Sequence, residues 1–151
     1  LISFKMTLSE YVLKRNGVPL GASNSLKKML YRSFGANNFA AFWNYWNPIW
    51  GYYLAYYSFK PLKQFFPSWL SVILTFLICG IIHDIAISVI SGSISITFTI
   101  WFLIISVAVV LTQLLRLDFN RFNWYFRAFI NLLYLVATFV LTKYIKFVIL
   151  S

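Results

Sequence analysis

The sequence predicts an all-α fold, a polytopic transmembrane helix bundle, and three observations carry that prediction. Hydrophobic residues make up 61% of the 151 and charged residues only 11%, with a mean hydropathy of +0.77, a balance too apolar for a water-soluble domain of this length. From Pro67 onward, three apolar segments each reach the ~20 residues a helix needs to cross the hydrocarbon core. Ahead of them lie a Trp- and Tyr-rich stretch broken by Pro and Gly, and short charged segments suited to a membrane surface.

The elements follow in chain order. "TLSE" at 7–10 fits a capping box, with Thr7 accepting from the Glu10 backbone and Glu10 reaching back, so a helix over about 8–16 closed by Gly17 is predicted. "NGVPLGAS" is a turn-rich connector. In "SLKKMLYRSFG" the apolar Leu26, Met29, Leu30 and Phe34 recur at helical spacing, with Lys27, Lys28 and Arg32 elsewhere on the wheel and Gly35 as a stop. Residues 1–37 therefore read as an interfacial amphipathic segment. Residues 38–151 read as a single transmembrane domain. Its first part, about 39–59, is long enough to span but is broken by Pro48 and Gly51, which predicts a kinked or re-entrant helix whose polar groups must be buried by protein. Three clear spans follow, at about 68–90, 93–115 and 125–150.

Thirteen Lys and Arg against Glu10, Asp84 and Asp118 give a net charge of +10. In so apolar a chain these bases are loop anchors facing anionic headgroups rather than a nucleic-acid surface. Lys60, Lys63, Arg116, Arg121 and Arg127 predict cytoplasmic ends, and the uncharged Ser91, Gly92 and Ser93 the opposite side. Lys143 and Lys146 then fall near the far end of the last span and are expected to snorkel to its interface. The prediction is an integral, multi-pass protein of the cytoplasmic membrane. The lone Cys79 excludes an intrachain disulfide. A chain that begins at Leu1 without a secretory signal pattern is expected to be a piece of a longer one.

Two stretches carry chemistry. "CGIIHDIAIS" at 79–88 places the only histidine beside one of three acids, about 6 Å beyond the middle of its span at ~1.5 Å per residue. An aspartate at such depth costs about 2.5–3.5 kcal/mol, so it faces protein or a water-filled cavity. Thr75, Phe76, Cys79, Gly80, Ala86 and Ile87 share the His83 side, the small ones leaving room for a second backbone or a substrate. Two readings stand: a polar bridge between helices, or a site. Cys79, one turn before His83, is either a small hydrophobe or half of a Cys–His nucleophile pair. In "FWNYWNPIWGYY" at 42–53, Asn44 and Asn47 lie three apart, as on one helical face, among aromatics that alone suit an interface belt. An amide there needs partners, and a free amide donor stabilises developing negative charge.

An aromatic–Asn–Trp–Asn element followed by a histidine in the next hydrophobic helix resembles the core of the membrane-bound O-acyltransferase family. Trp46 and Asn47 match the end of the family's aromatic motif, Asn44 falls where some relatives carry an acid, and His83 matches the histidine regarded as catalytic. The resemblance covers about residues 20–90 and implies the catalytic C-terminal portion of a larger acyltransferase, since relatives usually carry more spans. It also implies acyl-CoA as co-substrate, no bound cofactor, and N-terminal helices or another subunit as partner beside the membrane lipids. Acyl transfer from a thioester to a hydroxyl needs a base, worth ~10²–10⁴-fold, and a donor for the oxyanion, worth ~10²–10³-fold. His83 is the candidate base. Asn47 is the candidate oxyanion donor or holds His83 in its useful tautomer, with Asn44, Trp46 and Asp84 in support. No metal-ligand cluster or phosphate loop competes. Lys27, Lys28 and Arg32 meet either lipid headgroups or the donor's phosphates. The rival readings are a non-catalytic assembly subunit and a proton-coupled transporter subunit relaying protons through His83 and Asp84. A relay calls for acidic or histidine partners in the other spans, and the later spans offer none.

Overall fold

A computed structural model describes residues 6–150, and among them every regular element is helical. Helix α1 (Leu8–Asn16) opens on the expected capping box. Thr7 takes the Glu10 N–H, and the Glu10 carboxylate takes the Thr7 N–H at 2.8 Å. The Thr7 backbone and hydroxyl hold the Glu10 pKa below its ordinary value, so the cap is intact at neutral pH and is lost as pH falls through that lowered pKa. Gly17, at φ 77°, closes the helix in the left-handed region. Helix α2 (Ser25–Phe34) folds back on α1. The Asn16 amide donates to Ser25 Oγ at 2.7 Å, and Arg32 donates to the Arg15 carbonyl at 2.6 Å.

The aromatic stretch is not one kinked helix. It divides into α3 (Phe39–Tyr45) and α4 (Pro48–Leu54), then runs through a π-helical turn (Ala55–Phe59) into α5 (Lys60–Leu62). The first break has a local cause. Pro48 has no N–H and crowds the residue before it out of the α region, and Asn47 takes the left-handed conformation at φ 41°, which asparagine tolerates better than most residues. Gly51 breaks nothing, since it lies inside α4 beside the Tyr11 hydroxyl. Asn38 caps α3, accepting the Ala41 N–H at 2.7 Å and donating to the Leu117 carbonyl at 3.0 Å.

Helices α6 (Ser68–Ser91), α7 (Thr97–Leu114) and α8 (Trp124–Leu150) are each long and apolar enough to cross a membrane. The α6–α7 hairpin closes over Gly80: a Cβ there would stand 2.8 Å from the Phe98 carbonyl oxygen and from Thr99 Cα. The small residue beside His83 thus admits a second backbone, as its position predicts. Trp101 Nε1 on α7 donates to Thr138 Oγ1 on α8 at 3.1 Å. Lys146, rather than snorkelling free, donates to Thr97 Oγ1 at 2.8 Å on the first turn of α7. Hydroxyls along the spans bond the carbonyl one turn back, as Thr75 does to Ser71 and Thr142 to Thr138, which satisfies them without water.

The core lies where α3 meets the spans. Phe39 and Phe42 are fully buried with Ala36, Ile105 and Val109. Phe39 stacks on Tyr134 of α8 at 4.7 Å and Phe42 on Trp46 at 5.4 Å. The amphipathic segment is bound to this core and not merely adjacent to it: Asn131 of α8 donates to the carbonyls of Phe34 and Ala36. Trp124 donates to the Tyr31 carbonyl at 2.9 Å and lies where a Cβ on Gly35 would be. Gly35 therefore ends α2 to admit an indole ring and not to reach positive φ, since its φ is −78°.

Two expectations follow. Gly80→Ala is expected to destabilise the protein by about 1–2 kcal/mol in detergent unfolding and Gly80→Leu by more, because the obstructing atoms are backbone and cannot rotate aside; an unchanged midpoint for both would refute the close approach. In a Cys79→Ser background, single cysteines at Gln64 and Asn120 are expected to label from one side of the membrane and Ser93 from the other. Labelling of positions 93 and 120 from the same side contradicts the charge-based orientation.

Candidate functional site

Asp84 is explained by the helix it faces. The first N–H groups of any helix lack intrahelical partners, and Ile96, which precedes α7, supplies no capping side chain. The carboxylate of Asp84, 5% exposed, fills that role from α6. One oxygen accepts from Ser95 Oγ at 2.6 Å and the Phe98 N–H at 3.0 Å, and the other accepts from the Thr99 N–H at 2.6 Å. Its charge sits at the positive end of the α7 dipole. Gly80, one turn earlier, brings α7 close enough for this contact. A groove of about 380 Å³ beside the cap is lined by Ile81, Asp84, Ile85, Ser88, Ile96 and Thr99 among others, and by neither His83 nor Asn47.

His83 points to a different side of α6. Its Nδ1 lies 2.7 Å from the Cys79 carbonyl oxygen, and because a carbonyl only accepts, Nδ1 carries the hydrogen. The ring stacks on Phe98 at 5.5 Å and on Phe102 at 5.2 Å, and meets the Trp50 ring edge-on at 6.2 Å. Nε2 has no hydrogen-bond partner among the described residues, so in the neutral ring it is the nitrogen with the lone pair. Cys79 Sγ is 3.7 Å from Nδ1 and accepts the Trp50 indole N–H at 3.1 Å. With the Nδ1 hydrogen committed to the carbonyl, that nitrogen has no lone pair for the thiol proton. This arrangement does not make a Cys–His nucleophile pair.

The asparagines do not share a helical face, because the chain breaks between them at Trp46 and Asn47. Asn44 is exposed on α3, and Trp46 is packed into the aromatic core against Phe42 and Phe34. Asn47 is exposed and caps α4, its Oδ1 accepting the Trp50 N–H at 3.3 Å while its own N–H donates to Met29 Sδ at 3.2 Å. Asn47 therefore reaches His83 through Trp50, whose backbone it caps and whose ring borders the imidazole. Trp50 was hidden in the sequence among so many aromatics. The legible signal was Asn-Pro as a helix start, which places Trp50 at the third helical position under the asparagine side chain. Trp43 was equally hidden: its indole N–H is buried without a partner, and its ring packs on Phe76 and Phe102. Among the described residues, no group of His, Cys, Asp and Glu is placed to hold a metal ion.

The chain matches no protein-family model, and no curated protein or solved structure is significantly similar to it.

Replacing the cap isolates its contribution. Asp84→Ala leaves Ser95 Oγ and the Phe98 and Thr99 N–H groups without acceptors, each costing ~1–3 kcal/mol. A loss of at least ~3 kcal/mol in detergent unfolding is expected, with Asp84→Asn intermediate because its NH₂ cannot accept. Wild-type stability in Asp84→Ala would show that the carboxylate is dispensable to the α6–α7 hairpin.

Proposed function

We propose that the chain is the catalytic part of a membrane-bound acyltransferase of the cytoplasmic membrane, moving an acyl group from a thioester, acyl-CoA by resemblance, to a hydroxyl acceptor. The observation that carries this reading is the fixed imidazole: Nδ1–H is held by the Cys79 carbonyl at 2.7 Å, which leaves Nε2 to act as a base. His83 Nε2 takes the acceptor's hydroxyl proton as its oxygen attacks the thioester carbonyl. The tetrahedral oxyanion then collapses, the C–S bond breaks, and the imidazolium returns the proton to the departing thiolate. The products are an ester and a free thiol.

Supporting roles divide differently from the sequence expectation. Asn47 acts on the base at second hand, by capping the helix that carries Trp50. Trp50 fixes the edge of the imidazole and holds the Cys79 sulfur. Trp43 brings a buried, unpartnered N–H one ring away from His83, across Phe102, and is the better candidate for an oxyanion donor. Asp84 has no part in the chemistry. Its oxygens all face the head of α7, which also weakens the proton-relay reading.

One observation favours a non-catalytic assembly subunit instead. His83 bonds within its own helix and lies between phenylalanine rings, as a purely structural histidine does. Membranes carrying wild-type and variant chains at equal protein levels distinguish the two readings. His83→Ala is expected to lower acyl transfer at least ~10²-fold with near-normal expression. His83→Gln keeps size and hydrogen bonding but cannot accept a proton, so it is expected to be as inactive. Asn47→Ala is expected to lower transfer less, with a stability loss of ~1 kcal/mol from the missing cap. Full transfer by His83→Gln would return His83 to a structural role.

A further inference from the structure

The apolar residues of α2, which the sequence groups on one side, are divided by the structure between two surfaces. Met29 and Phe34 turn inward, the first accepting from the Asn47 N–H and the second packing on Phe42 and Trp46. Leu26 and Leu30, one turn apart, turn outward and are 65% and 36% exposed, beside an exposed Tyr31. Lys27 and Lys28 are exposed; at about 100° per residue Lys27 borders the leucines and Lys28 lies farther round the helix, while Arg32 points back to the Arg15 carbonyl and the Tyr45 ring. Leucines one turn apart, bordered by Lys27 and Tyr31, have the composition of a helix lying at the headgroup boundary.

Two further observations identify what covers this face. The first is charge. Every acid in the chain is engaged elsewhere: Glu10 on Thr7, Asp84 on the head of α7, and Asp118 on the Asn120 N–H. Lys27 and Lys28 are thus exposed with no side-chain carboxylate of the described residues to meet. The second is position. Tyr31 stacks on Trp124 at 5.2 Å and accepts its indole N–H through the backbone, and Trp124 is the first residue of α8. That contact fixes α2 at the level where a span enters the bilayer, on the end that carries Arg116, Arg121 and Arg127.

We infer that the outward face of α2 docks on an anionic phospholipid leaflet, with Leu26 and Leu30 set among the upper acyl chains and Lys27 on the phosphates. The inference does not depend on the acyltransferase reading. It commits to lipid rather than to the phosphates of a soluble thioester, because Leu26 and Leu30 border Lys27 on one surface.

The test uses the full chain with Cys79→Ser, reconstituted into vesicles of phosphatidylcholine alone or of equal parts phosphatidylcholine and phosphatidylglycerol. Nitroxides are placed singly at positions 26, 30 and, as an aqueous control, 120. In the mixed vesicles, positions 26 and 30 are expected to collide with oxygen in preference to a water-soluble nickel complex, and position 120 the reverse. Lys27→Gln is expected to weaken retention of phosphatidylglycerol through detergent purification by about fivefold, and Lys28→Gln by less. Nickel access at 26 and 30 equal to that at 120 overturns the docking. Exclusion of both reagents overturns it in favour of a protein partner. Lipid immersion with retention indifferent to phosphatidylglycerol and to Lys27→Gln overturns the anionic specificity.

Discussion

A carboxylate inside a hydrophobic helix must find donors, and at Asp84 the nearest donors are the unsatisfied N–H groups at the head of the next helix. Each group solves the other's problem. An unpaired aspartate at this depth costs about 2.5–3.5 kcal/mol, and uncapped amides away from water cost ~1–3 kcal/mol each. Together they make short charge-assisted bonds of 2.6–3.0 Å. Much else depends on this contact: the register of α6 against α7, the need for glycine at position 80, and the rotation of α6 that turns His83 toward Trp50 and Phe102.

The same contact separates two residues that the sequence sets side by side. His83 and Asp84 look like a catalytic or relay pair in "CGIIHDIAIS", yet consecutive helical residues point about 100° apart. One faces the aromatic cluster and the other caps α7. The histidine's own partner is a backbone carbonyl one turn back, which orients the ring without placing a second charge beside it. The aromatic walls that surround it come from two segments, Trp50 of α4 and Phe98 and Phe102 of α7, so its setting depends on where α4 begins.

Legibility followed the range of the forces involved. The Thr7–Glu10 cap, the stop at Gly17 and the three long apolar helices depend on residues within a turn or two of each other, and all were readable. The break at Pro48 was readable too, but not its effect on Asn44 and Asn47, whose helical spacing held no meaning once Asn47 took positive φ. The π turn at Ala55–Phe59 had no local signature. Gly35 was readable as an end but its reason was not, because the ring of Trp124 comes from far along the chain. Trp50 and Trp43 went unseen among sixteen Phe, ten Tyr and six Trp, where composition gives no means of telling a site wall from an interface belt. Lys146, read as free, is bonded to Thr97 because α8 returns beside the start of α7.

The Asp84 cap also bears on how the chain enters a bilayer. When α6 has been synthesised and α7 has not, the carboxylate has no N–H groups to accept from, and the cost of that state falls on α6 alone. Once residues through Thr99 have emerged, the hairpin supplies its own donors and the carboxylate is hydrogen-bonded within a single compact unit. The two helices are therefore suited to leave the translocation machinery as a pair rather than in sequence. The turn at 92–96 is the step on which their partitioning into lipid depends.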